Sequence, residues 1–325
     1  MRRLLEECIT TRGAADNAAV EGNPVNEQTS QSPLWFREPI GAGLEILYRC
    51  HHLVYSGRSR YQEIAIVDSH VHGRMLFLDG ICQSSENDEF IYHEMLVHPT
   101  LFSHPEPRSV LVIGGATGAS LREIFRHPGI ERVVMVDIDG ELIEICKRHV
   151  PQWHQGNYDD PRLELLVVDG RKYLETSSEI FDCVILDLSD PFESGPALLL
   201  FTREFYNLVR THLGPRGTVA VQAQGISPEE VALHARIANT IGNTFPVVRP
   251  YPYTMHCFHR PDAHVMASMD PGWSLKAMIR RVEKTPLPLR YFSLEIARGM
   301  FNLPPYLHQA YGTFTEILTD DLFFQ

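Results

Sequence analysis

Val110-Leu111-Val112-Ile113-Gly114-Gly115-Ala116-Thr117-Gly118 is an unbroken apolar run that ends in a glycine-containing loop. Four apolar residues in succession suit a strand buried on both faces, and glycines directly after it suit a tight turn into a helix. Further apolar runs at residues 133–136, 163–168, 183–186 and 218–221 predict strands, and residues 120–127, 141–149, 203–213 and 228–241 carry helical patterns between them. This alternation predicts an α/β fold of Rossmann-like type, with a doubly wound, mostly parallel sheet.

Outward from that core the signal changes. Residues 13–33 are rich in Ala, Asn, Gln, Ser and Gly with almost no large apolar side chain, so burial cannot offset their ordering entropy; a disordered tail over 1–35 is expected. Short β-type runs at 45–48, 61–67 and 74–78 alternate with Gly and Ser turns and predict a small antiparallel sheet. Residues 88–102 read as a helix carrying Tyr92 and His93, followed by a linker at Pro105 and Pro107. The expected organisation is an N-terminal β domain with linking helix over 36–107, the main α/β domain over 108–288, and a helical extension over 289–325.

The chain has 325 residues with 44% hydrophobic content, enough for a large core. Its 29 basic and 41 acidic residues give a net charge of −12, which disfavours nucleic acid and anionic membranes and suits a cationic ligand. Six scattered cysteines (Cys8, Cys50, Cys82, Cys146, Cys183, Cys257) form no C-x-x-C pair, which reads as reduced and intracellular. No apolar run approaches the roughly 18 residues of a membrane span, and acids in the first twelve residues do not suit a signal peptide. A cytoplasmic protein is expected. The spacings His70-x-His72 and His256-x-x-His259 with His264 could serve a metal, but no cysteine pair or H-E-x-x-H accompanies them, so no metal is expected.

In an open parallel sheet the ligand sits at the carboxyl ends of the strands. There the first strand gives the glycine loop, the second Asp137, the third Asp169-Gly170, and the fourth Asp187-Leu188-Ser189-Asp190-Pro191. Asp137 stands 23 residues after Gly114, where a carboxylate can grip both ribose hydroxyls of an adenosine ligand. Blander roles stand beside these: Asp137 and Asp169 could cap helices, and Asp187 and Asp190 could belong to an Asp-Pro turn.

From residue 47 onward the chain resembles the polyamine aminopropyltransferases, the spermidine synthase family. The resemblance rests on Ser59-Arg60-Tyr61-Gln62-Glu63-Ile64, residues 76–80, and Gln83-Ser84-Ser85-Glu86-Asn87-Asp88-Glu89-Phe90-Ile91-Tyr92-His93-Glu94-Met95. It continues through the glycine loop, Asp137-Ile138-Asp139, Asp160-Pro161-Arg162, Asp169-Gly170-Arg171, residues 187–191 and Phe201-Thr202-Arg203-Glu204-Phe205-Tyr206. It implies a class I methyltransferase fold and a homodimer. It implies that Gln62, Gly114, Gly115, Asp137, Ile138, Asp169, Gly170 and Pro196 bind the nucleoside of decarboxylated S-adenosylmethionine or of the methylthioadenosine product. Gln83, Tyr92, His93, Thr117, Asp187 and Asp190 would line the substrate side, facing a small cationic amine, with Asp187 as proton acceptor and Tyr92 beside it.

The family loop reads G-G-G-D/E-G, its acid pairing with the ammonium of the aminopropyl arm; this chain has Ala116 and Thr117 there. Leu198 replaces a glutamate, Glu193 and Ser194 are inserted before it, and residues 256–264 replace a loop that lines the acceptor pocket in relatives. These departures leave two other expectations open. One is an enzyme using intact S-adenosylmethionine, for methyl or aminocarboxypropyl transfer or cyclisation, with His259, Arg260 and His264 as carboxylate partners. The other is a catalytically silent nucleoside-binding relative.

Overall fold

The computed structural model describes residues 33–40, 43–190 and 197–321. Contacts divide the chain into a first unit ending at Asn87 and a second beginning at Asp88. The tail expected over residues 1–35 lies outside the described residues up to 32; Leu34 and Trp35 belong to a strand.

The first unit is a five-stranded antiparallel meander: β1 (Leu34–Pro39), β2 (Glu45–Arg58), β3 (Glu63–Ser69), β4 (Gly73–Leu78) and β5 (Ile81–Ser85), paired in chain order. Its interior is built on Phe36, Tyr48, Ile64, Ile66, Met75 and Phe77, all essentially buried. Leu44, Leu47, Leu53 and Val71 are exposed.

The second unit opens with helix α1 (Glu89–Ser103), buried along nearly its whole length, so the expected linking helix belongs to this unit rather than to the N-terminal one. Then strands and helices alternate as β6 (Ser109–Gly114), α2 (Ala119–Phe125), β7 (Arg132–Asp137), α3 (Gly140–His149), α4 (Pro151–His154), β8 (Leu163–Val167), α5 (Gly170–Thr176) and β9 (Phe181–Asp187). There follow α6 (Arg203–Thr211), β10 (Leu213–Gly225), α7 (Val231–Thr244), β11 (Val247–Met255) and β12 (Arg260–Ser268). The chain then forms α8 (Leu275–Lys284), α9 (Leu294–Gly299) and α10 (Pro305–Thr313).

The sheet order is β11-β12-β10-β9-β6-β7-β8, with β8, β7, β6, β9 and β10 parallel and the β12 and β11 pairings antiparallel. The expected doubly wound, mostly parallel sheet is thus present, and its strand order reverses between β6 and β9, the point at which such sheets open a ligand crevice. Val110–Ile113 and Val184–Leu186 are fully or almost fully buried, because helices cover both faces. One face packs Leu111, Val134, Val184 and Val221 against Phe205, Val209, Ile237 and Ile241. On α1, the Tyr251 hydroxyl donates to the Met95 carbonyl at 2.9 Å and the Thr218 hydroxyl to the Thr100 carbonyl at 3.0 Å.

Residues 256–264, expected as a pocket loop, are mostly strand: only a single helical turn at His256–Phe258 separates β11 from β12, and His264 lies within β12. No helix among the described residues is long and apolar enough to cross a membrane.

Candidate functional site

Parallel pairing brings Gly114 level with Asp187 at the carboxyl ends of β6 and β9. The loop after β6 lies directly on the end of β9: the Gly115 N–H donates to the Asp187 carbonyl at 3.0 Å. Gly114 and Gly115 have φ of +83° and +80°, and a Cβ on Gly114 would run into the Asp187 carbonyl. Glycine is required there because only it combines positive φ with that close approach.

The Asp187 carboxylate is gripped from two sides. Tyr92 on α1 donates its hydroxyl to Oδ1 at 2.9 Å, and Ser120 in the first turn of α2 donates to Oδ2 at 2.6 Å. Burial, then the Asp187 charge, pushes the Tyr92 phenol well above its ordinary pKa, so it stays a donor. Its ring is walled edge-on by His93, Tyr253, Phe258 and His264. A fixed carboxylate against a buried phenol can hold an ammonium and accept its proton.

Asp137 ends β7. One of its oxygens accepts the Asp139 N–H at 2.8 Å, and Asp139, not Asp137, caps α3 by accepting the Leu142 N–H at 3.0 Å. Burial pushes the Asp137 carboxyl up to about 7; the Asp139 and Asp187 charges add to this, and the Asp139 and Ala116 N–H groups oppose it. Ile138 follows it, part-buried. Asp169, by contrast, does cap α5, accepting the Lys172 N–H at 2.9 Å, while remaining exposed. Gly170 lies flat against Ile113, where a Cβ would collide with the isoleucine. The Thr117 hydroxyl accepts only a long 3.4 Å bond from the Ala119 N–H, and the Tyr158 hydroxyl closes the loop by donating to the Ala116 carbonyl at 2.7 Å.

Asp190 is held by two amides, Gln222 Nε2 at 3.0 Å and Gln224 Nε2 at 2.9 Å, both on Oδ1. Gln224 adopts φ of +73°, a strained value for a side chain of its type, where β10 shifts register against β12. Arg260 bonds Glu230 at 3.1 Å and Asp262 at 3.3 Å, and its Nη2 lies 3.7 Å from Asp190. Burial, with the Asp190 and Glu230 charges adding, pushes the Asp262 carboxyl up to about 7 against the pull of Arg260. Three buried polar atoms here lack a protein partner among the described residues: the Tyr253 hydroxyl, Asp262 Oδ2 and His264 Nδ1. His264 stacks on Tyr253 at 4.3 Å and meets the Tyr92 carbonyl through Nε2 at 3.3 Å; burial lowers its pKa to about 3.

The second unit therefore brings Tyr92, His93, Gly114, Gly115, Thr117, Asp137, Ile138, Asp169, Gly170, Asp187 and Asp190 to one end of its sheet and helix α1. Gln62 and Gln83 belong to the first unit, where Gln62 closes a turn on Ser59 and Gln83 bonds the Ile81 carbonyl at 3.2 Å. Pro196 lies outside the described residues. Sequence reading passed over Ser120, Gln222 and Gln224. The glutamines carried a signal, since they follow the fifth apolar run directly, at the strand end where ligands bind. Among the described residues no group of three or more His, Cys, Asp or Glu is arranged to hold a metal ion.

Residues 89–264 match the sequence model of the spermine/spermidine synthase domain, and residues 34–86 that of the spermidine synthase tetramerisation domain. The chain is 44% identical over 248 residues to polyamine aminopropyltransferase 2 of Pseudomonas aeruginosa, covering 75% of this chain and 71% of that one. It is 42% identical over 237 residues to polyamine aminopropyltransferase of Aeropyrum pernix, covering 73% and 75%. Its fold is similar to a crystal structure of spermidine synthase in complex with the transition state analogue AdoDATO, with a TM-score of 0.80 and 30% identity over 90% of this chain and 99% of that one.

Proposed function

This chain belongs to the spermine/spermidine synthase family, and from that premise we propose that it transfers an aminopropyl group from decarboxylated S-adenosylmethionine to the amine of putrescine or another polyamine, releasing methylthioadenosine. The observation that carries this reading is the Asp187 carboxylate, clamped by Tyr92 and Ser120 against the glycine loop at the sheet's switch point. A primary amine with pKa near 10.4 is protonated at neutral pH, so freeing its lone pair costs about 5 kcal/mol. Asp187 holds the ammonium and takes its proton. The nitrogen lone pair then forms a bond to the propyl carbon next to sulfur, and the C–S bonding pair stays on sulfur, which leaves as the neutral thioether. Asp137 and Asp169 hold the nucleoside, Gly114 and Gly115 admit it, and Tyr92, His93 and Asp190 face the acceptor.

Loss of the loop acid at Thr117 favours a second reading, in which the donor is intact S-adenosylmethionine. The cations weighed as partners for its carboxylate are otherwise engaged: Arg260 with Glu230 and Asp262, while burial holds His264 and His259 towards the neutral form. The acids Asp137, Asp187 and Asp190 would also repel that carboxylate, by several kcal/mol for a close pair in a partly buried site. This supports the decarboxylated donor.

The match of residues 34–86 to a tetramerisation domain, with Leu44, Leu47, Leu53 and Val71 exposed on the same unit, supports a homo-oligomer assembled through that sheet. Buried cysteines at Cys50, Cys82, Cys146, Cys183 and Cys257, none in a disulfide among the described residues, suit a reducing, cytoplasmic setting. Calorimetric titration with decarboxylated S-adenosylmethionine, the intact form and methylthioadenosine tests the reading. Tighter binding of the decarboxylated form is expected; tighter binding of the intact form would move the function to the second reading, and no binding to a silent relative.

A further inference from the structure

Behind the site runs a buried chain of ionisable groups that, apart from His93 at its end, the transfer as described does not use. Glu89 at the start of α1 receives a bidentate grip from Arg122 on α2, at 2.8 and 2.9 Å. Arg122 also donates to Glu123 at 2.6 Å and to the Trp153 carbonyl at 2.8 Å, and Glu123 meets His98 at 3.0 Å, which meets His127 at 2.9 Å. Glu89, Arg122, Glu123, His93, His98 and His127 are each no more than 5% exposed. Ion pairs this deep are costly to maintain and contribute little net stability, so a positional role is the better account of them.

The end of the chain that meets the site is His93. Its Nδ1 lies 2.7 Å from the Glu89 carbonyl oxygen and 2.8 Å from Glu89 Oε2. Both are acceptors, since Arg122 keeps Glu89 ionised, so Nδ1 must carry the hydrogen. In the neutral ring the lone pair is then on Nε2, which has no hydrogen-bond partner among the described residues.

We propose that Glu89 is a positioning residue for the transfer: it fixes His93 as the Nδ1–H tautomer, so that Nε2 accepts an N–H of the acceptor amine and leaves that amine's lone pair free to attack. This rests on the aminopropyl-transfer reading. A primary amine that has given one proton to Asp187 keeps two N–H bonds and one lone pair, and the lone pair points at the propyl carbon only if the N–H bonds are accepted elsewhere. The Nε2–H tautomer would do the opposite, donating into the pair that must attack. Protonated His93 would donate likewise and repel the ammonium, so turnover requires the neutral ring.

The groups facing His93 are Glu89 and Tyr92 on its own helix, Arg122 on α2, Asp187 on β9 and His264 on β12. Burial and Arg122 oppose its protonation, but Glu89 and Asp187 outweigh them and raise its pKa above the ordinary value. On the proposal, an acid limb of the kcat profile follows His93, and it is told from the carboxyls of Asp137 and Asp262, which also titrate high, by its response to Glu89.

The test is the pH profile of kcat for the full-length protein and for Glu89→Gln, with decarboxylated S-adenosylmethionine and putrescine saturating. Glu89→Gln should move the acid limb about one unit lower and reduce the plateau about tenfold, and Glu89→Asp should restore most of both. A limb that stays in place in an active Glu89→Gln variant would overturn the proposal, whereas absence of turnover in the unmodified protein would sink the transfer reading instead. Should the variant not fold, the imidazole 15N shifts of the unmodified protein decide: a protonated Nδ1 and bare Nε2 on His93 are expected, and the reverse refutes it.

Discussion

Asp187 receives one hydrogen bond from an aromatic side chain on α1 and one from the first turn of α2, so two segments distant from it in sequence agree on where it points. Asp187→Asn keeps that geometry and removes the proton acceptor. Its kcat should fall at least about 100-fold while methylthioadenosine binds within a few-fold of the unmodified protein; undiminished turnover would contradict the role. Asp137 invites a different test, because burial raises its pKa from 3.8 to about 7. Between those values the unfolded chain has released a proton that the folded chain retains, so the free protein loses stability as pH rises through that window. Asp137→Asn should therefore raise the melting temperature of the ligand-free protein at pH 8 and weaken methylthioadenosine binding at least about tenfold. The sequence placed both acids at strand ends. It could not separate Asp137 from the capping role that Asp139 fills, because the two differ only in which oxygen meets which N–H.

Helix α1 assigns successive side chains to separate tasks: Glu89 to Arg122 and His93, Tyr92 to Asp187, and Glu94 to the chain after α8, where it accepts the N–H groups of Arg290, Tyr291 and Phe292 at 2.7–2.9 Å. Glu94→Ala leaves those donors without their acceptor and should cost about 3 kcal/mol of unfolding free energy in urea titration, with kcat changed less than fivefold. A loss under 1 kcal/mol would mean that the last segment docks by other means. The parallel strands were legible because burial on both faces writes them as unbroken apolar runs. Strand β11 was not: Pro250 and Pro252 argue against a strand, yet β11 is the sheet's edge, where a missing N–H is tolerated. β12 hid behind Asp262 and His264, polar residues accommodated by Arg260 and by stacking on Tyr253. Short β1 was masked by the polar stretch before it, and α5 by its length of seven residues.

For the molecule as a whole, a net charge of −12 and the acids Asp137, Asp187 and Asp190 at or just beyond the carboxyl ends of β7 and β9 both favour cationic substrates over anionic ones. The proposed assembly through the N-terminal sheet predicts that Leu47→Lys combined with Leu53→Lys shifts the protein to a smaller species in sedimentation velocity; an unchanged sedimentation coefficient would contradict that assembly. What these features serve is aminopropyl transfer. The most direct measurement is mass-spectrometric product analysis after incubating the protein with decarboxylated S-adenosylmethionine and putrescine. Methylthioadenosine and the aminopropylated amine should form in equal amounts, and neither should form with the intact donor. Products from intact S-adenosylmethionine alone, or from neither donor with any polyamine, would contradict it.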